Sequence, residues 1–336
     1  MGDNPIAAKV WMVSGCKDEQ TSADVSDVQT FGLPADVGPG GAGGACTSAM
    51  AKLLTTKEWQ WGELLMRARE VLLQKKYTQI PQLSSSYPLH LNEKVMLKDP
   101  NARRLKGLLM GINYVGHKQG VLSGCHNDVD TWKNIIGKEG FNDVEVLKDD
   151  GASTPPTKAN IEAAMLRLVS GAQAGDSLFM QYSGHGSQVK DTSGDEESGM
   201  DQVLVPMDYN QPGGGIIVDD WIFDKVVKDL PAGVTLFCVM DCCHSGSIMD
   251  LPYAIPITNA VVQQYNNNPS MELPTNKAFH IKHKRRLAAV AAAGVAGCCV
   301  GGPVGCIVGM CGAFCCMWRN EIKDKGREIK AQVGQI

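Results

Sequence analysis

The chain has 336 residues, a formal net charge of −4 and a hydrophobic fraction of 43%. A chain of this length can hold one large α/β domain or two ordinary domains. Because there is no excess of basic residues to create a positive field, the composition does not favour nucleic acid as a partner.

The first 97 residues combine one predicted strand with two predicted helices. An apolar run at 7–13 predicts the strand, and a glycine-rich stretch at 38–44 leads into a helix at 45–54. A second helix is predicted at about 60–76, where apolar residues recur at helical spacing. A polar linker at 98–104 follows, and it contains a helix-breaking proline.

Strands and helices alternate through 105–256. Two residues in this region, Thr157 and Asp219, are candidate helix N-caps. The alternation predicts an α/β fold with a parallel sheet and helical crossovers. The predicted strands lie near 105–113, 144–147, 178–182 and 234–240, and the predicted helices near 126–136, 157–169 and 219–230.

Two short motifs follow apolar runs that read as buried parallel strands. One is Tyr-Ser-Gly-His-Gly at 182–186, and the other is Asp-Cys-Cys-His-Ser-Gly at 241–246. If the two strands are neighbours, their carboxyl ends place His185 and one of the adjacent cysteines, Cys242 or Cys243, at one edge of the sheet, where ligands bind in open α/β folds. A cysteine beside a histidine is the minimal apparatus for thiol catalysis, because the imidazole activates the thiol and later protonates the leaving group.

These motifs resemble those of the metacaspases. The resemblance is carried by 183–186, by the box at 241–246 and by the Asp-Leu-Pro-Tyr sequence at 250–253. The stretch 14–24 (Ser-Gly-Cys-x-Asp-Glu-Gln-Thr-Ser-Ala-Asp) is similar to the small-subunit half of the family. In ordinary metacaspases that half follows the catalytic half, whereas here it comes first. This circularly permuted order resembles type III metacaspases, described from algae.

The resemblance, which covers roughly 7–256, implies a fold, a division of the chain and an activity. The fold is caspase-like, a mostly parallel sheet flanked by helices, in which 1–97 complete the sheet of 105–256 so that 1–256 form one domain. The activity is that of a calcium-dependent cysteine endopeptidase that works through a thioester acyl-enzyme, with His185 and Cys243 as the catalytic dyad. Of the two adjacent cysteines the resemblance points to Cys243, so Cys242 is expected to pack on the other side of the strand end. The family's substrate pocket maps onto Cys125, Asp128, Ser183 and Asp241. Its Ca²⁺ ligands map onto Asp201, Asp219, Asp220 and Asp250, and carboxylates from loops suit that ion.

The charge of this pocket predicts the substrate. Asp241 lies two residues before Cys243, and Asp128 follows Cys125 closely. Two aspartates in a partly buried pocket favour a cationic side chain, so cleavage after Arg or Lys is expected. Asp128 also suits the N-terminal turn of a helix, and both roles can coexist. Since 103–104 and 282–286 contain basic residues, self-cleavage at these places is a further hypothesis.

Two alternative functions stay open. Residues 38–43 match the G-x-G-x-x-G pattern before a helix, which predicts nucleotide binding, although the nearest strand ends too far upstream. A flexible surface connection is the simpler interpretation of this glycine loop. The other alternative is a catalytically inactive caspase-like scaffold, against which the intact His and Cys pair argues.

The C-terminal part of the chain divides into a polar, basic connector at 257–286 and a segment at 287–336. Residues 287–318 carry no charge and are rich in Ala, Gly and Cys. Membrane association, S-acylation and a loosely packed tail are the interpretations that this stretch leaves open. The N-terminus lacks the features of a signal peptide, so we expect a cytoplasmic protein, and the cysteines form no C-x-x-C pair, so we expect no structural zinc. The resemblance to metacaspases implies a monomer that acts on proteins.

Overall fold

The computed structural model describes most of the chain up to residue 283. The residues described are 6–15, 24–25, 37, 42–191, 199–243, 245–277, 279 and 282–283. Clustering of contacts divides the chain into two compact units. Unit 1 comprises Met1–Ser187 and Gln202–Thr275, and unit 2 comprises Gln188–Asp201 and Asn276–Ile336.

In chain order the strands are β1 (Lys9–Ser14), β2 (Asp24–Val25), β3 (Gly43–Gly44), β4 (Gln82–Ser85), β5 (Arg104–Gly111), β6 (Asp143–Lys148), β7 (Asp176–Ser183), β8 (Gly186–Lys190), β9 (Met200–Leu204), β10 (Ile217–Val218), β11 (Thr235–Asp241) and β12 (Tyr253–Pro256). The main sheet of unit 1 has seven strands in the order β12-β4-β1-β11-β7-β5-β6. Neighbours among the last five strands of this order pair in parallel, while β4 is antiparallel to β1 and to β12. The α/β class and the mostly parallel sheet predicted from the sequence are therefore confirmed.

The helices agree closely with the sequence patterns, with one correction. Thr157 caps its helix as predicted, because its Oγ1 accepts a hydrogen bond from the Asn160 N–H at 3.3 Å. The prediction that Asp219 is an N-cap is wrong: Val218 holds that position, and Asp219 is the first helical residue. The helices are α1 (Ala45–Leu54), α2 (Trp61–Gln74), α3 (Cys125–Lys138), α4 (Lys158–Val169), α5 (Asp219–Ile222) and α6 (Asn259–Asn267), with a π-helical turn at Phe223–Val227.

The N-terminal half contributes strands and core to the same sheet as the rest of unit 1. Strand β1 pairs with β11 so that Trp11 faces Phe237, which in turn faces Phe179 on β7. The rings of Phe237 and Phe179 stack at 5.8 Å, and Trp61 from helix α2 stacks on Phe237 at 5.6 Å. All of these aromatic side chains are buried. One apolar core thus joins the first hundred residues to the strands that carry the two motifs.

Unit 2 contains the end of strand β8, the start of its neighbour β9 and a short C-terminal part. The Asp191 N–H donates to the Gly199 carbonyl at 2.9 Å, and the rings of Phe279 and His283 stack at 5.9 Å. In the part of the chain that the structure describes, no helix is long and apolar enough to cross a bilayer. The expectation of a cytoplasmic protein associated with a membrane through 287–318 is corrected on this finding, and 287–318 itself lies outside the described residues.

Candidate active site

The two motifs meet at the carboxyl edge of the main sheet. Strands β7 and β11 are parallel neighbours, and Ser183 faces Asp241 at their ends. His185 lies two residues after Ser183, and Cys243 lies two residues after Asp241, so both follow the same pair of facing residues. The two turns also touch: a β-carbon on Gly186 would overlap the carbonyl oxygen of Cys243 and lie 3.2 Å from the Cys242 sulfur. Only glycine at 186 permits this approach, so the sequence places imidazole and thiol on adjoining turns.

The adjacent cysteines differ in exposure. Cys242 is buried, with 1% of its surface exposed, whereas Cys243 is partly exposed. A thiol must reach substrate to act as a nucleophile, so the exposure favours Cys243. Cys242 is buried, and its sulfur lies close to Gly186.

A backbone carbonyl sets the orientation of the His185 ring. Its Nε2 lies 2.7 Å from the carbonyl oxygen of Gly120. Because a carbonyl can only accept, Nε2 carries the proton and the lone pair of the neutral imidazole is on Nδ1. Gly120 has φ +69°, and a β-carbon there would lie 3.2 Å from Nε2, so glycine suits both the turn and the contact.

Two buried tyrosines hold the backbone of His185. The hydroxyl of Tyr114 accepts from the His185 N–H at 2.8 Å and donates to the Val205 carbonyl at 2.6 Å. The hydroxyl of Tyr182 donates to the His185 carbonyl at 3.0 Å. The ring of Tyr114 also lies 4.6 Å from the imidazole, centroid to centroid. Neither tyrosine was predicted as a site residue. Tyr182 lies in the motif at 182–186 but was interpreted as the end of a buried strand, and no sequence pattern connects Tyr114 with His185, 71 positions away.

Two carboxylates converge on the start of helix α1. The Gly44 N–H donates to Asp128 Oδ1 at 2.8 Å, and the Thr47 N–H donates to Asp241 Oδ2 at 2.9 Å. A β-carbon on Gly44 would overlap Asp241 Oδ2 and lie 3.0 Å from Asp128 Oδ2, so both carboxylates face this one glycine. The expectation that the glycine loop is an exposed connection is wrong for Gly43 and Gly44, which are buried, while 38–41 lie outside the described residues.

The other two predicted pocket residues lie beside these carboxylates. Ser183 faces Asp241 on one side and Gly111 on the other, and its hydroxyl accepts from Gln181 Nε2 at 2.7 Å. Cys125 begins helix α3, and its carbonyl would lie 2.5 Å from a β-carbon on Gly111. The structure thus gathers all four predicted pocket residues around one buried patch of the sheet edge. Gly44, Gly111 and Gln181 join them without having been predicted.

Three of the four predicted calcium ligands form a cluster. Ligand oxygens of Asp219, Asp220 and Asp250 lie within 4.8 Å of one another. Asp219 and Asp250 are buried. Like charges at this separation raise each other's cost of ionisation unless a cation compensates them, and an all-carboxylate donor set suits a hard ion such as Ca²⁺. Asp201 is a buried residue of β9 that belongs to unit 2.

Hydrogen bonds connect this cluster to the turn after Cys243. The Gln202 N–H donates to Asp219 Oδ2 at 3.2 Å, and Gln202 Oε1 accepts from the Ser247 hydroxyl at 2.8 Å. The Asp250 N–H in turn donates to the Ser247 carbonyl at 2.8 Å. Asp250 itself has φ +46°, a conformation that aspartate tolerates better than most residues. One hydrogen-bond network therefore connects the acidic cluster with the turn that follows Cys243.

Comparison with known proteins identifies the family. Residues 105–252 match the family described as "Metacaspase, peptidase C14 domain". The chain is 44% identical over 285 residues to Metacaspase III c of Phaeodactylum tricornutum, which covers 82% of this chain and 81% of that protein. It is 48% identical over 172 residues to Metacaspase-1A of Neurospora crassa, covering 48% of this chain and 36% of that protein. Metacaspase-1 of Saccharomyces cerevisiae is 43% identical over 169 residues, covering 48% of this chain and 38% of that protein.

The match to the Phaeodactylum protein is decisive because it extends over most of both chains. The chain spans little more than a third of the Neurospora and Saccharomyces proteins. The mostly parallel sheet flanked by helices agrees with the caspase-like fold that the motifs implied. The chain belongs to the metacaspases and is a cysteine peptidase whose substrates are proteins.

Proposed function

We propose that the chain is an endopeptidase in which His185 and Cys243 form the catalytic dyad. The observation that carries this proposal is the pairing of Ser183 with Asp241, which brings the two motifs to adjoining turns. The contact between Gly186 and the Cys243 carbonyl supports it. The partly exposed thiol and the oriented imidazole are the two groups that peptide hydrolysis by a cysteine requires.

The reaction then has two steps. The imidazole of His185 takes the thiol proton of Cys243, and the sulfur attacks the carbonyl carbon of the peptide bond. As the C–N bond breaks, His185 gives that proton to the leaving amine, and the acyl group remains on sulfur as a thioester. Water next attacks the thioester and gives a proton to His185. As the C–S bond breaks and the acid is released, His185 returns this proton to sulfur and the thiol is restored.

Single substitutions in the two turns test the dyad. Cys243→Ala and His185→Ala are each expected to lower peptidase activity on a reporter peptide at least about 10³-fold, as loss of one member of a catalytic unit does. Cys242→Ala is the matched control, and it should retain most of the activity. Normal turnover by Cys243→Ala would refute the assignment of Cys243 as the nucleophile. Because the protein would then be active, the same result would also exclude the inactive scaffold.

We further propose that the pocket selects Arg or Lys before the scissile bond. Asp128 and Asp241 are both buried, with 3% and 6% of their surface exposed, and both face Gly44. A buried pair of carboxylates favours a cationic partner, and a guanidinium can bind two carboxylate oxygens at once. Asp128 also lies in the first turn of helix α3, so the helix-terminal role and the pocket role coexist at this residue.

A peptide library varied at the residue before the scissile bond tests this specificity. The expected profile is Arg and Lys above all neutral residues, with Asp rejected. In Asp128→Asn and Asp241→Asn, kcat/KM for an arginine peptide should fall about 10- to 100-fold, since a charge-assisted hydrogen bond is worth about 1.5–3 kcal/mol. A preference for Asp in the unaltered protein would refute the proposal.

Calcium dependence is the third part of the proposal. The carboxylates of Asp219, Asp220 and Asp250 would hold the ion, with Asp201 the fourth ligand predicted from the sequence. Bound Ca²⁺ supplies positive charge that neutralises the cluster, and the cluster is connected through Gln202 to the segment after Cys243. Calorimetric titration should detect Ca²⁺ binding that Asp250→Asn weakens, and a chelator should abolish activity. Full activity in excess chelator would refute this part alone.

The permuted order and self-cleavage are also proposals. The permutation is supported by β1 beside β11 and by the likeness to a protein named Metacaspase III c. For self-cleavage, Arg103 and Arg104 each donate to the buried carboxylate of Asp176 at 2.8 Å, so cutting there requires this ion pair to open. Mass spectrometry of calcium-treated protein beside Cys243→Ala would show whether fragments end near 103–104 or 282–286.

The nucleotide-binding alternative loses support at helix α1. A phosphate at this N-terminus would have to replace the carboxylates of Asp128 and Asp241, which already accept from the Gly44 and Thr47 N–H groups. Two negative charges repel a phosphate from the donors that would bind it. A thermal-shift measurement with nucleotides is expected to show no stabilisation.

A further inference from the structure

We propose that Tyr114 is the positioning residue for His185, and that Asp149 and His126 hold Tyr114 in place. This inference rests on the proposed dyad, and it assigns roles to three residues outside both motifs. The evidence is a set of buried and partly buried hydrogen bonds that runs from Asp149 through the backbone and hydroxyl of Tyr114 to the backbone N–H of His185, together with a contact between the rings of Tyr114 and His185.

The first step is the contact between Tyr114 and His185. The His185 N–H donates to the Tyr114 hydroxyl, and the same hydroxyl is fixed because it donates to the Val205 carbonyl. Tyr182 holds the other side of the same residue through the His185 carbonyl. A β-carbon on Gly184 would lie 2.8 Å from the Tyr182 hydroxyl and 3.3 Å from the Tyr114 hydroxyl, so glycine there lets both phenols approach. The His185 N–H is thereby held by a group from a distant part of the chain, and the His185 carbonyl by a group three residues earlier in the same motif.

The second step is the conformation of Tyr114. Its φ is +55°, in the left-handed region that bulky side chains seldom adopt, and its side chain is 1% exposed. Such a conformation costs of order 1–3 kcal/mol and persists only where the surroundings impose it. The phenol reaches the His185 N–H from this conformation, so whatever holds the backbone of Tyr114 also holds the histidine.

The third step is the group that holds this backbone. Asp149 accepts from the N–H groups on either side of Tyr114, from Asn113 at 2.9 Å and from Val115 at 2.8 Å. His126 Nε2 lies 2.6 Å from Asp149 Oδ1 and fixes the carboxylate from helix α3. Burial alone raises the pKa of Asp149, but the hydrogen bonds from His126 and the two backbone groups hold its pKa below the usual value. The lowered pKa favours the ionised carboxylate of Asp149, the form that accepts these hydrogen bonds.

Burial also raises the pKa of Tyr114 and of Tyr182 well above the usual value. Both phenols stay protonated, and each keeps the single O–H that it donates. Neither hydroxyl can take part in proton transfer with substrate, because both are spent on backbone groups. Their effect on catalysis is to place the imidazole, and displacement of a catalytic group by about 1 Å can lower a rate roughly 10²-fold.

The test is a double-mutant cycle between Tyr114→Phe and His185→Ala. The measurements are kcat and KM on a reporter peptide, and the rate at which iodoacetamide alkylates Cys243, followed by peptide mapping. We expect Tyr114→Phe to lower kcat about 10- to 100-fold with KM within about twofold, and to slow the alkylation of Cys243. In the His185→Ala background the same change should have no further effect on alkylation.

Tyr87→Phe is the matched control. Its hydroxyl accepts from Trp11 Nε1 at 3.0 Å, away from both turns, so its loss should change stability but not kcat. If Tyr114→Phe does not fold, Tyr182→Phe and Asp149→Asn repeat the measurement from the other contacts, and each is expected to lower kcat. An unchanged kcat in these variants, or equal slowing of alkylation with and without His185, would overturn the proposal. If His185→Ala itself were fully active, the dyad would fail instead, which is a distinguishable result.

Discussion

Gly44→Ala is the substitution whose effect can be followed in most detail. A β-carbon at position 44 would overlap Asp241 Oδ2 and lie 2.8 Å from the carboxyl carbon of Asp241, whereas non-bonded carbons sit about 3.5–4.0 Å apart. One of the two must move by about 1 Å. Since the Asp241 carboxylate accepts from the Thr47 N–H, this movement breaks a charge-assisted hydrogen bond worth about 1.5–3 kcal/mol. Overpacking of the buried site adds about 1–3 kcal/mol.

Chemical denaturation and peptidase kinetics measure the two consequences. The free energy of unfolding should fall by about 2.5–6 kcal/mol, and kcat/KM for an arginine peptide should fall at least about 10-fold at a temperature where the variant is folded. Gly137→Ala is the matched control, because a β-carbon there has no neighbour within 4 Å and the residue lies within helix α3. Gly137→Ala should raise the free energy of unfolding by about 0.5–1 kcal/mol. If Gly44→Ala is as stable and as active as Gly137→Ala, helix α1 does not support the aspartates in the way described.

Three further substitutions test the core and the buried charges. Trp61→Ala removes a ring stacked on Phe237 and should cost about 3–5 kcal/mol in denaturant unfolding. Burial raises the pKa of Asp176, but a backbone N–H and two arginine partners lower that pKa overall. The stability that this carboxylate contributes is therefore complete above its unfolded pKa and is lost as the pH falls through its folded pKa. Asp176→Asn should destabilise the protein at neutral pH and flatten the acid limb of the curve of stability against pH, and an unaltered acid limb would contradict this. Arg69 is buried with Nε and Nη1 unpaired, so Arg69→Met should leave the unfolding free energy unchanged or raise it by about 1 kcal/mol, and a large loss would show that its charge is needed.

The spacing of apolar residues and the short motifs were sufficient to predict most of the fold. The helix at 45–54 and the strand at 178–182 were predicted because apolar runs and helical stripes are local properties of the sequence. The short strands β4 and β12 were missed, because four-residue polar or mixed segments carry no period of their own. Their place at the sheet edge is decided by β1, which offers its free side to β4.

The site was predictable only where it is local in sequence. His185 and Cys243 each follow a recognisable strand, and the register of β7 with β11 then brings them together. Tyr114 and Gly44 could not be found in this way. Their partners lie 71 and 84 positions away, and the importance of each depends on a backbone conformation or an approach distance that no pattern of residue types encodes.

The charge balance at the start of helix α1 explains why a cation is the expected occupant of the proposed pocket. Asp128 and Asp241 both accept hydrogen bonds from the N-terminal turn of this helix, through the Gly44 and Thr47 N–H groups. A helix N-terminus offsets about half a unit of negative charge, whereas a guanidinium or ammonium group from a substrate brings a full positive charge. Substituting either aspartate by asparagine removes one full negative charge, so each single change should lower the preference for a cation.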